Sequence, residues 1–144
     1  MDNKVKGMVQ TVLGLKPPSD LGITLTHEHL LIDLTCYFRM PEEATAKAIV
    51  DKPITMEMLG SLRQHFYHSR DAQTMFDEQL AIEEILKYKY AGGQSIVDTT
   101  SIGIARDPLA LARISRATGL NIIMGGSYYV IDSHPKDMSN RTED

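Results

Sequence analysis

Strand, helix, strand, helix, strand, followed along residues 21–125, predicts an α/β protein built from parallel βαβ units. Three observations carry that prediction. Short β-branched runs recur at residues 21–27, 94–100 and 121–125. An apolar stripe at helical spacing occupies residues 77–90 and stops at Gly92. A second helix is bounded at both ends, by Asp107 and Pro108 at its start and Gly119 at its finish. Each strand–helix–strand connection is expected to be right-handed.

The elements follow in order. Residues 9–14 read as a short strand, residues 16–20 as a turn-rich break, and residues 21–27 as the first core strand. A small hairpin therefore leads into that strand. Residues 33–53 are irregular and punctuated by prolines, with a short helical piece near 42–49. Met58, Leu62 and Phe66 give residues 54–69 a helical pattern, with Thr55 as its N-cap. In the helix at 77–90, Leu80, Ile82, Ile85, Leu86 and Tyr90 form the apolar face, and Glu83 and Glu84 stand at helical spacing from Lys87. The strand at 94–100, the helix at 107–118 and the strand at 121–125 complete the series. The polar run at 141–144 resembles the opening turn of another helix.

Composition narrows the function classes. The chain has 144 residues, 42% of them hydrophobic and 24% charged, which fits a globular domain. A net charge of −4 gives no electrostatic reason for a nucleic-acid or anionic-membrane partner. No apolar run approaches the roughly 20 residues of a membrane-spanning helix. The first six residues carry no apolar stretch that would mark a leader. Cys36 is the single cysteine, so no internal disulfide forms and a reducing compartment, the cytoplasm, is expected.

The chemistry-bearing residues cluster at strand ends. Side chains two apart in a strand share a face, so His27 and His29 project together while Glu28 points away. Two adjacent imidazoles suit a divalent ion such as Zn²⁺, Mn²⁺, Fe²⁺ or Co²⁺. The same pair also fits two polar residues at a sheet margin. The second strand ends in Asp98-Thr99-Thr100-Ser101 and the third runs into Ser127-Tyr128-Tyr129. In a parallel sheet these ends lie on one side, where α/β proteins place their sites.

Three blocks then resemble one family. Gln10–Gly14 with Leu21-Gly22-Ile23-Thr24-Leu25-Thr26-His27-Glu28-His29-Leu30 is similar to the opening of phosphotriesterases and their related proteins. Gly92-Gly93 through Asp98-Thr99-Thr100, then Gly103-Ile104-Ala105-Arg106-Asp107, resembles that family's second strand and loop. Gly119 to Gly126 with Tyr128-Tyr129 resembles its third strand. The resemblance covers nearly the whole chain.

What the resemblance implies is the N-terminal part of a (β/α)8 TIM barrel in the amidohydrolase superfamily, holding the first three core strands with their helices after a short β-hairpin. Residues 1–144 would form one incomplete barrel domain, because such barrels need about 250 residues. The implied activity is hydrolysis of an ester, lactone or phosphoester small molecule by a metal-activated hydroxide, with zinc the first expectation among divalent metals and two ions in the complete enzyme. His27 and His29 would be metal ligands and Tyr129 would meet the substrate. The remaining ligands and the proton-shuttling aspartate belong to later strands, so no catalytic group falls within this chain. A homodimer is open to the complete enzyme. Two rival readings remain: a non-catalytic or binding-only member, and a deaminase or cyclic-amide hydrolase of the same superfamily. His65 and His68 read as a solvated helix face, His134 as a surface residue and Cys36 as packing.

Overall fold

The structure is a computed structural model that describes residues 5–142. The leader reading at the N-terminus falls partly outside them, as does the reading of 141–144 as the opening turn of another helix. Within the described part, Arg141 is extended rather than helical.

Three parallel strands organise the chain: β3 (Thr24–Glu28), β6 (Ser95–Asp98) and β7 (Asn121–Met124), side by side in the order β3-β6-β7. Helix α3 (Glu78–Tyr90) connects the first two and α4 (Pro108–Thr118) the last two. Ile96 pairs with Ile122 in register and Leu25 with Ile96, so alternation sends these apolar side chains to the helical layer. There Ile96 and Ile122 pack with Ala81, Ile85, Leu111 and Ile114 into the one continuous core. Leu30 and Leu31, just past β3, join it.

The helix ends follow their capping residues. Asp77 accepts hydrogen bonds from the N–H groups of Gln79 and Leu80 at 2.9 and 3.0 Å. Asp107 does the same for Leu109 and Ala110 at 3.0 and 2.9 Å. Gly119 closes α4 in the left-handed region at φ +70, which a side chain would strain. On the outside Arg113 reaches both carboxylate oxygens of Glu78, tying α4 to α3 and holding the Glu78 carboxyl below its ordinary range. Lys87 pairs with Glu84 at 2.6 Å, as the spacing predicts.

Several elements differ from the sequence reading. The hairpin forms, but it joins β1 (Val9–Thr11) to β2 (Gly14–Lys16), with its turn at Val12 and Leu13 rather than at 16–20. Thr11 makes that turn: its hydroxyl donates to Gly14 O at 2.7 Å and accepts from Leu13 N at 3.2 Å. Val12 N then donates to Ile122 O on the edge of β7 turned away from β6, so that edge is partly capped. In α3 the buried face centres on Ala81 and Ile85, with Ile82 and Tyr88 beside them, while Leu80 and Tyr90 are exposed. Small Ala81 lets the helix lie close to the strands, and Leu80 turns toward a groove beside β3.

The expected helix at 54–69 is broken. It comprises a 3-10 turn at Met56–Met58, α2 (Leu59–His65) and another 3-10 turn at Phe66–His68. Thr55 caps through its carbonyl to Met58 N, not through its hydroxyl. The short helix α1 (Ala44–Lys47) falls where a helical piece is expected. Two strands absent from the sequence reading, β4 (Ile32–Asp33) and β5 (Thr74–Met75), pair antiparallel and close the excursion between them. Inside it the buried Gln73 amide donates to the carbonyls of Phe66, Tyr67 and Ser69 at 3.3, 3.1 and 2.8 Å. No helix among the described residues is long and apolar enough to cross a membrane.

Gln73→Leu roughly keeps the volume and removes the two N–H donors that three buried or half-buried carbonyls share. It should lower unfolding free energy by about 1–3 kcal/mol; an unchanged denaturant midpoint would show that the amide does not hold this excursion together.

Candidate metal centre

The tip of β3 is set by its neighbour. Thr24 and Leu25 pair with Ser95 and Ile96, but Glu28 pairs with Asp98, so β3 carries one extra residue between Leu25 and Glu28. Beyond that bulge Thr99 N donates to Glu28 O at 2.8 Å, the last rung of the ladder. Asp98 then takes over. Its fully buried carboxylate accepts from Leu30 N at 2.8 Å and from Thr100 N at 2.9 Å, one oxygen to each. A single acidic side chain thus fixes the chain just after β3 and the chain just after β6.

His27 and His29 stand on that tip with ring centroids 5.5 Å apart, edge to face at 77°. The side-by-side placement expected from two-residue spacing is what the geometry gives, in spite of the bulge. His27 is exposed and His29 half-buried. Thr100, itself buried, stands 3.0 Å from His29 Nδ1 by its hydroxyl oxygen. Thr99 Oγ1 is a looser 3.4 Å from Nε2. Burial lowers the His29 pKa below its ordinary 6.5, opposed by the nearby Asp98 charge and helped by His27. His29 is therefore biased to the neutral imidazole, the form that ligates metals.

The two rings fit half of a metal site. No group of three or more His, Cys, Asp or Glu side chains gathers to hold an ion among the described residues. A tetrahedral zinc would need ligands from elsewhere.

The rest of the rim is aromatic. Tyr129 follows β7, and Tyr37 donates to its hydroxyl at 3.2 Å with the rings edge to face. That hydrogen bond pushes the Tyr37 phenol up to about 12. Tyr67 packs edge to face on Tyr37. His134 Nε2 bonds the Tyr129 carbonyl at 3.0 Å, so it braces this loop rather than merely decorating the surface. Arg106 Nη1 donates to Gly125 O at 3.0 Å and ties the loop after β6 to the end of β7. His65 and His68 stack on each other at 5.3 Å, away from any three-ligand set. Cys36 is half-buried and burial raises its thiol pKa, as packing demands. Tyr37, Tyr67, Thr99 and Thr100 have no individual role in the sequence reading. Thr99 and Thr100 carry a signal there, two hydroxyls directly past a core strand; the tyrosines sit in an aperiodic stretch and carry none.

With this geometry in view, comparison with known proteins decides the family. The model of the "Phosphotriesterase family" matches residues 7–143. The chain belongs to the phosphotriesterase family. It is 40% identical over 136 residues to the N-acetyltaurine hydrolase of Tetraodon nigroviridis, covering 94% of this chain and 39% of that protein. It is 43% identical over 137 residues to the phosphotriesterase-related protein of Nematostella vectensis, covering 93% of this chain and 39% of the relative. The crystal structure of a resiniferatoxin-binding protein from Rhodobacter sphaeroides superposes with a TM-score of 0.87 at 40% identity, covering 94% of this chain and 38% of that one. The chain thus spans about two-fifths of the length of these relatives. Its fold is the N-terminal part of their TIM barrel, with the antiparallel hairpin preceding it.

Two outcomes are expected. Asp98→Ala strands two buried N–H groups and should cost about 2–4 kcal/mol in denaturant unfolding; a loss under about 0.5 kcal/mol, within the ordinary scatter of surface changes, would contradict the bridging role. For pH, the unfolded chain titrates His29 near 6.5 and the folded chain lower. The unfolded state therefore takes up the proton first as pH falls through 6.5, and stability declines until the folded pKa is passed. In chelator, the wild-type midpoint should drop more between pH 7.5 and 5.5 than that of His29→Asn; parallel curves would refute it.

Proposed function

We propose that the complete protein is a metal-dependent hydrolase, and that residues 1–144 are the portion of its single barrel domain that supplies the first two metal ligands, His27 and His29. The observation that carries this reading is the pair of rings 5.5 Å apart at a core-strand tip of a phosphotriesterase-family chain. On this reading the ligands that complete the set lie on later strands of the barrel, since two imidazoles leave a tetrahedral ion half ligated.

A divalent cation, zinc first and manganese, iron or cobalt as alternatives, supplies charge that acidifies water and polarises the bond to be cleaved. What this chain contributes is placement. His29 offers a neutral ring held by the strand beside it, and His27 offers a second ring on the same tip. Tyr129, steadied by Tyr37 and His134, presents its phenol to a small-molecule substrate. Esters, lactones and phosphoesters are the substrate classes the family suggests. The name of the Tetraodon relative adds a small N-acyl amide bearing an anion.

One observation favours a second reading. The Rhodobacter relative is named for binding rather than catalysis, and a binding-only member would need no complete metal set. Metal titration separates the two. The complete wild-type protein should take up zinc, and His27→Ala or His29→Ala should weaken uptake by more than about tenfold, the scale that outer partners of a ligand already reach. Wild-type uptake no better than that of the double variant would remove the metal reading and leave binding alone. In the complete protein, Tyr129→Phe should change KM for ester, lactone or N-acyl amide turnover while metal content stays constant; unchanged KM for every class would remove Tyr129 from the substrate site.

A further inference from the structure

Thr100 has two close contacts and one proton. Its hydroxyl oxygen lies 3.1 Å from Leu31 O and 3.0 Å from His29 Nδ1. A backbone carbonyl only accepts, so the first contact is a hydrogen bond only if Thr100 donates its proton there. With that proton committed, the second contact is a hydrogen bond only if Nδ1 carries a proton and donates to Thr100 Oγ1. A neutral imidazole has one N–H, which leaves Nε2 with a bare lone pair. The opposite assignment puts the proton on Nε2 facing Thr99 Oγ1 at a poor 3.4 Å and deprives the Leu31 carbonyl of the Thr100 hydroxyl. Thr100 is buried, so water does not readily replace either partner.

We infer that Thr100 is a positioning residue that selects the Nδ1–H tautomer of His29 and so leaves its Nε2 lone pair, on the side of Thr99, available to a cation. The geometry stands without the metal, but its purpose rests on the metal reading above. Several parts of the chain converge on it. Asp98 holds the Thr100 N–H, and Leu31 follows Leu30, whose N–H the same carboxylate holds. The backbone that carries the hydroxyl is therefore fixed relative to the segment that carries its Leu31 acceptor. Thr99, by contrast, divides its hydroxyl between Glu28 O at 3.3 Å and Nε2 at 3.4 Å and is easily displaced from the ring.

The test reads the tautomer directly. Long-range proton–nitrogen correlation spectra of the full chain labelled with ¹⁵N-histidine, without metal and above pH 7.5, distinguish the two forms by the shifts of Nδ1 and Nε2. Wild type should show His29 with the proton on Nδ1. Thr100→Val, which keeps shape but removes the hydroxyl, should shift His29 toward the commoner Nε2–H form; Thr100→Ser should restore the wild-type pattern. Zinc affinity should fall roughly 10- to 100-fold in Thr100→Val and recover in Thr100→Ser. Nδ1 unprotonated in wild type would overturn the inference, as would a tautomer unmoved in both variants. If Thr100→Val fails to fold, the wild-type spectrum alone still decides. The predicted tautomer with no zinc uptake by the complete protein would sink the metal reading and leave the Thr100 assignment standing.

Discussion

Asp98 ends one strand by joining it to another. Parallel ladders leave their last N–H groups without strand partners, and here two such groups, on Leu30 and Thr100, are buried. The carboxylate bonds one with each oxygen at 2.8 and 2.9 Å. A charge held by donors in a dry setting tolerates little displacement, because either bond lost exposes the cost of an uncompensated buried group. The separation of the β3 and β6 tips follows from that side chain. So does the approach of Thr100 to His29, and with it the orientation of an imidazole whose Nδ1 lies 3.0 Å from the Thr100 hydroxyl.

The insertion between β4 and β5 is built on the same economy of buried polar groups. A two-rung ribbon closes its ends, and one glutamine amide gathers three carbonyls from the 3-10 turn at Phe66–His68 and the residue after it. That arrangement brings Tyr37 and Tyr67 to the rim that carries Tyr129. An irregular segment thereby supplies the wall of the site, while the regular strands supply its floor. Loops fixed by a rigid scaffold commonly divide the labour in this way.

Regular elements were legible in the sequence because their signals are local. Asp107-Pro108 and Gly119 mark α4 at both ends, and Asp77 with the 77–90 stripe marks α3, since capping depends on residues within one turn. The H-x-H spacing likewise foretold adjacent rings. What escaped depends on distant partners. The β4–β5 pairing joins residues about forty apart through two residues each, too short for any period to show. The hairpin turn moved to Val12-Leu13 because the Thr11 hydroxyl bonds around it, a side-chain effect that alternation does not encode. Leu80 counted as core by spacing, yet Ala81 and Ile85 are the buried positions and Leu80 is exposed, since spacing alone does not say which edge of a broad apolar stripe meets the sheet. Thr100 was visible only as one polar residue among four at a strand end; its role emerges from Leu31 and His29, roughly seventy residues earlier.

The two histidines are consequently unequal. His29 is half-buried, its pKa lowered by desolvation, and it is anchored by a hydroxyl whose own backbone is held by Asp98. His27 is exposed and meets the site mainly through its edge-to-face contact with His29. A ligand oriented by contacts within the first two strands is ready before any later strand arrives, whereas an exposed ring awaits a cation or a neighbour to fix it. On the proposed reading the cation would find one lone pair already aimed, lose little conformational entropy there, and draw the second ring into place. Order in such a site would then spread outward from β6, from a buried carboxylate to a hydroxyl to one imidazole and only then to the next.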